Sequence, residues 1–228
     1  FSLTHLQLAA DYCAENPQTI VETPEVTVSS YPDHGSSRIV ELDFSYDHTQ
    51  AELLAMRSAV GSVLSAAESY VRYRQEASVK AELLYTFLSE RFDYTTGETN
   101  TPFYSLLCEG VASSESFAQI FQTLCDRAGL PCITVSGYLD GERYDWNILC
   151  LDGTYHHIDL LRNIEEDVHQ LRYYSDDDML RYSWDRSAYP ACGAQTQSVA
   201  PESETEASSS GTEAEQEPAA QPPQPDVP

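Results

Sequence analysis

The sequence predicts an α+β domain, with helices packed on one antiparallel sheet and a helix leading directly into that sheet. Three observations predict it. From Phe117 onward, Phe117, Ile120, Phe121, Leu124 and Cys125 recur at three- and four-residue steps, and Gly129 and Pro131 stop the pattern. Asp152-Gly153 lies between two runs of apolar and aromatic residues, as in strands joined by a two-residue turn. Well ahead of both, Thr49 and Glu52 make a capping box in front of Leu53, Met56, Val60, Val63, Leu64, Ala67 and Val71, a long helical stripe.

Taken in order, residues 3–14 fit a short helix. Residues 25–29 and 38–44 fit strands, the second because Val40, Leu42 and Phe44 alternate with polar neighbours. After the capped helix a further one follows, with Val79, Leu83, Phe87 and Leu88 inward. Beyond the hairpin, Ser175-Asp176-Asp177-Asp178 ahead of Met179-Leu180 predicts a helix start with carboxylates at its dipole. The ligand spacing and turn glycine of a calcium loop are absent from that acidic run. Residues 193–228 hold no aromatic residue and are rich in Ala, Pro, Glu, Gln, Ser and Thr. Such a segment buries too little apolar surface to offset the entropy of ordering. The expected organisation is an N-terminal extension over 1–36 packing on the core, a domain over 37–192, and a disordered acidic tail over 193–228.

Charge narrows the partners. The 228 residues include 37 acids and 12 bases, a formal charge of -25. Seven of the acids lie past residue 192, where there is no Lys or Arg, so the body still carries -18. Such a surface repels phosphate backbones and anionic headgroups, which argues against nucleic-acid or membrane-surface binding and tolerates basic partners. No run approaches the roughly 20 apolar residues of a membrane span. A start at Phe1, with no Met, reads as a processed form. The six cysteines include no C-x-x-C metal pair; Cys125 and Cys132 flank a short reversal and could bridge.

The chemistry centres on Cys108. Were the Phe117 helix to begin near it, free N–H groups and the macrodipole would favour a thiolate there, making a candidate nucleophile. A buried, inert thiol is the other reading. In the hairpin, Leu151 pairs with Thr154, which sets Trp146 opposite Asp159. Tyr144, Trp146, Ile148, Cys150, Tyr155, His157 and Asp159 then share one face. Asp159 stands where an acid would orient a base, beside Tyr144. His157 lies two residues from Asp159 along the strand and His156 points to the other face, so the two cannot ligate one metal ion. No cofactor is expected.

These segments resemble the bacterial transglutaminase-like superfamily, whose relatives carry a nucleophile in C-E-G-Y-A, a base in H-A-W-N and an acid in a W-Y-H-V-D-like strand. The corresponding residues are Cys108-Glu109-Gly110-Val111-Ala112, Tyr144-Asp145-Trp146-Asn147 and Tyr155-His156-His157-Ile158-Asp159. The resemblance implies a papain-like fold over roughly 37–192, with the nucleophile helix before the sheet. It implies Cys108 as nucleophile and Asp159 as acid, and puts Tyr144 where the histidine belongs. A phenol near pKa 10 is a poor general base at neutral pH. The expectation is a degenerate, non-catalytic module binding a peptide, protein or cell-wall component outside the cell or at its surface. The alternative is an active thiol acyl-transfer enzyme acting on peptide or glutamine-like amides.

Overall fold

A computed structural model describes residues 2–16, 19–35, 38–91, 93–97 and 99–193. The predicted tail lies outside them, apart from Gly193.

Helix α1 (Ser2–Glu15) precedes an antiparallel hairpin of β1 (Glu25–Pro32) and β2 (Arg38–Ser45), paired over all eight residues of each strand. The expected domain boundary at 36/37 thus falls inside the hairpin loop. This N-terminal part is tied to the start of the next helix through Glu22, which is 2% exposed. Its carboxylate accepts the main-chain N–H of Asp47 at 2.6 Å and contacts the His48 ring at 2.9 Å. Helix α2 (Gln50–Val71) starts at the predicted capping box, with Glu52 accepting the Thr49 main-chain N–H at 2.8 Å. It buries Val60, Val63, Leu64, Ala67 and Val71.

Helix α3 (Ala77–Ser89) buries Ala81, Leu84, Tyr85 and the expected Leu88, with the expected Leu83 and Phe87 half-buried against the core, whereas Val79 is exposed. Tyr85 widens the stripe. Its hydroxyl donates to the Val168 carbonyl, so an aromatic that can satisfy its polar end goes inward in preference to a valine.

After a two-residue strand β3 (Thr95–Thr96), a single turn α4 (Pro102–Tyr104) runs into a π-helical turn over Ser105–Glu109. Gly110, at φ 73°, ends it in the left-handed region. Strand β4 (Val111–Ala112) pairs with β3 in parallel, and only then does α5 (Ser114–Ala128) begin. Gly129, at φ 72°, closes α5, with the Leu130 N–H bonded to the Cys125 carbonyl at 2.8 Å.

The main sheet has the order β7-β6-β5-β8, built from β5 (Cys132–Leu139), β6 (Glu142–Leu151), β7 (Thr154–Ile158) and β8 (Tyr182–Ser183). Its register is the predicted one, with Leu151 opposite Thr154 and Ile148 opposite His157. Asp152 and Gly153 both have positive φ, as the tight turn requires, and Asp140-Gly141 makes a second such turn between β5 and β6.

The two faces of the sheet bury separate clusters. Leu149, Leu151 and Ile158 pack with α2, α3 and α5. On the other face Trp146 and Ile148 pack with Val135, Met179, Tyr182 and Cys192. Helix α6 (Leu160–Glu165) follows β7. The helix expected after Ser175 is absent: residues 176–178 are a turn, because the Asp178 carboxylate accepts both the N–H and the hydroxyl of Ser175 and no helix follows. The result is the predicted α+β architecture, helices against an antiparallel sheet.

Candidate functional site

Asp159 ends β7 and caps α6, and these two roles explain its depth: it is 2% exposed. Its Oδ1 accepts the Arg162 N–H at 3.0 Å and the Tyr144 hydroxyl at 3.0 Å. Its Oδ2 accepts the Tyr182 hydroxyl at 2.6 Å. Burial pushes the carboxyl above its usual range, against the downward pull of these three donors. The predicted neighbourhood of Tyr144 and Asp159 is therefore a direct hydrogen bond. Burial and the adjacent Asp159 charge push the Tyr144 phenol far above its ordinary range, so it holds its proton throughout the neutral region.

Tyr182 was not apparent from the sequence. It reaches Asp159 because β8 adds to β5, with Leu139 opposite Tyr182, and a two-residue strand carries no periodicity to read.

Cys108 does not occupy the position expected of it. The helix it was to begin starts six residues later, and the thiol lies within the turn that precedes β4. The N-terminal dipole therefore does not act on it. Burial raises its thiol, only partly countered by the Arg91 cation. The cause is local. Gly110 breaks the chain, and Ser113 caps α5 by accepting the Ser116 N–H at 3.1 Å, while the Ser116 hydroxyl accepts the Ser113 N–H at 2.9 Å. This is a capping box with serine in place of Glu or Gln, which is why the usual pattern did not reveal it.

The first residue of α5 is Ser114. Its Oγ accepts the Asp145 main-chain N–H at 3.2 Å, which brings the helix start against β6 beside Tyr144. Ser114-Glu115-Ser116-Phe117-Ala118 also aligns with C-E-G-Y-A, keeping Glu115 and Ala118, with serine for cysteine and for glycine and phenylalanine for tyrosine. That second register was the signal available in the sequence.

No imidazole serves the Tyr144–Asp159 pair among the described residues. His157 is fully buried. Its Nδ1 accepts the Trp146 indole N–H at 2.9 Å and its Nε2 lies 2.9 Å from Asp176 Oδ1. His156 meets Tyr173 edge to face and His48 is held by Glu22.

His157, Asp176 and Cys192 present ligand atoms within 4.8 Å of one another. The tautomer argues against a metal there. An indole N–H only donates, so Nδ1 is the lone-pair nitrogen and Nε2 carries the proton directed at Asp176. A metal on Nε2 would displace that proton and leave no favourable place for it. The Cys192 thiol, pushed up to about 12 mainly by burial, is also far from the thiolate a metal needs.

The α5 start thus abuts β6, whose Tyr144 is bonded to Asp159 at the end of β7. The sequence profile of the transglutaminase-like superfamily matches residues 65–170, and this part of the chain is a transglutaminase-like superfamily domain. Among solved structures, the chain is similar to one described as a TGase (12% identity, TM-score 0.37, covering 60% of this chain and 43% of that one). It is also similar to a candidate protease from Parabacteroides distasonis (10%, 0.36, covering 59% and 35%). A third is a candidate cysteine protease from Cytophaga hutchinsonii (14%, 0.39, covering 70% of each chain). The chain thus spans less than half the length of the first two. No curated protein matches it. Among the described residues no helix is long and apolar enough to cross a membrane.

Proposed function

We propose that this domain is a non-catalytic transglutaminase-like module that binds a peptide or cell-wall component outside the cell or at its surface. Ser114, Tyr144 and Asp159 stand at its nucleophile, base and acid positions, and Cys108 stands outside the site. The observation that carries this reading is the 3.0 Å bond from Tyr144 to Asp159. The acid holds a group that cannot accept a proton at neutral pH, where acyl transfer needs a base. Triad members act as a unit, so loss of the base removes most of the rate. Serine in place of a thiolate at the helix start removes the self-activated nucleophile as well.

The experiment is alkylation by iodoacetamide at pH 6.5, with adducts located by mass, on the wild type, Tyr144→His, and Ser114→Cys/Tyr144→His. Wild type and single variant are expected to label slowly at Cys108, with a rate that climbs above pH 9. The double variant is expected to gain a fast thiol at position 114. Fast labelling of Cys108 in the wild type, or ammonia release from a glutamine peptide, would favour the active thiol enzyme and overturn the module.

A further inference from the structure

The α5 start carries a feature that a relic site does not need. Asp145 is 5% exposed, and its Oδ1 is buried with no hydrogen-bond partner among the described residues. An ionised group so placed is costly unless something donates to it.

Its direction follows from the strand. Asn147, two residues along β6 on the same face, donates from Nδ2 to the Ala118 carbonyl of α5 at 2.9 Å. One repeat toward the strand start, the side chain of Asp145 faces one turn earlier in α5, which is Ser114, the residue its own N–H contacts. Asn147 Oδ1 also lacks a donor. Both orphaned atoms on this face are acceptors, so what the place lacks is a donor. The rim is open, since Ser114 is half-buried and Glu115 and Ser136 are exposed. Residues 1–192 carry 30 acids against 12 bases, a net charge that draws cations toward the domain.

We propose that Asp145, at the first turn of α5, anchors a lysine or arginine side chain of a basic polypeptide, making the ligand of this module a basic peptide segment. This rests on the non-catalytic reading above and names its partner class. The ammonium or guanidinium donates to the Asp145 carboxylate, which swings its buried oxygen toward the opening. Ser136, directly opposite Asp145 on β5, lies on the same face and borders the same space.

The test is fluorescence anisotropy of a labelled hexalysine peptide at 150 mM salt. Asp145→Asn is expected to weaken binding at least tenfold, whereas Asp43→Asn, an exposed acid on β2 removing the same charge, changes it less than twofold. Ser136→Lys, which supplies a tethered ammonium opposite Asp145, is expected to abolish binding, and it keeps the test open should Asp145→Asn fail to fold. Equal weakening by Asp43→Asn and Asp145→Asn, or unchanged binding in Ser136→Lys, overturns the proposal. So does spermine binding as tightly as the peptide, since that removes the polypeptide. These outcomes leave the alkylation result untouched, so failure of the ligand and failure of the non-catalytic reading are distinguishable.

Discussion

The two oxygens of Asp159 are not equally protected, and this separates the roles of the two tyrosines that reach it. Oδ1 accepts from both Tyr144 and the Arg162 N–H, whereas Oδ2 accepts from Tyr182 alone among the described residues. Tyr144→Phe should therefore cost about 1 kcal/mol, because the oxygen it leaves keeps a donor. Tyr182→Phe should cost more, about 2–3 kcal/mol, because a buried carboxylate oxygen is left unsatisfied. Denaturant titrations of the two variants measure the difference; equal losses would mean that the acid re-pairs freely and is not held by the tyrosines. The same logic applies to His157, whose two nitrogens are both engaged. Ala there orphans the Trp146 indole and opens a cavity beneath Trp184, an expected loss of about 3 kcal/mol in thermal or chemical melts.

At the scale of elements, β5 has to lie close to both β8 and the Trp146 ring, and Gly137 is the residue that allows it. A Cβ there would sit 2.5 Å from the Ser183 carbonyl oxygen and 2.7 Å from the indole. The carbonyl cannot yield without detaching β8, the strand that brings Tyr182 to Asp159. Gly137→Ala should thus destabilise by about 2 kcal/mol and also raise the exposure of Tyr182, read by its fluorescence or by hydrogen exchange at β8.

This strand also marks where the sequence stops being legible. The α2 capping box, the Asp152-Gly153 turn and the β6–β7 register are local patterns, and the shared face of Tyr144 and Asp159 followed from them. The start of α5 is hard to read because serine replaces the acid of a capping box and the chain's one C-E-G lies six residues upstream. Tyr182 and the orphaned Asp145 oxygen arise from pairings between distant segments, which leave no periodic trace.

Over the whole molecule, acid should weaken the fold, and the groups responsible can be named with their sign. Burial lowers the His157 pKa, outweighing the raising effect of Asp176. Between the unfolded value near 6.5 and the lowered folded one, the unfolded chain binds more protons, so stability is full above about pH 6.5 and falls as pH drops through that window. Glu22 acts in the same direction lower down. Burial would raise its pKa, but hydrogen bonds from Asp47 and His48 outweigh this and lower it, so its contribution is lost as pH falls below the usual carboxylate range. Asp159 opposes both, because its pKa is raised and its protonation on acidification favours the fold. Burial lowers the His156 pKa too, so the decline below pH 6.5 is shared by the two histidines, with His157 the more deeply buried. The urea midpoint of the wild type should stay level from pH 8 to 7 and fall below pH 6.5. His157→Gln, less stable throughout, should lose most of that first decline, the remainder belonging to His156, and keep the lower one. A variant that still weakens between pH 6.5 and 5 as steeply as the wild type would remove His157 as the source and point to the net charge of -25 instead, a cause that added salt would reveal.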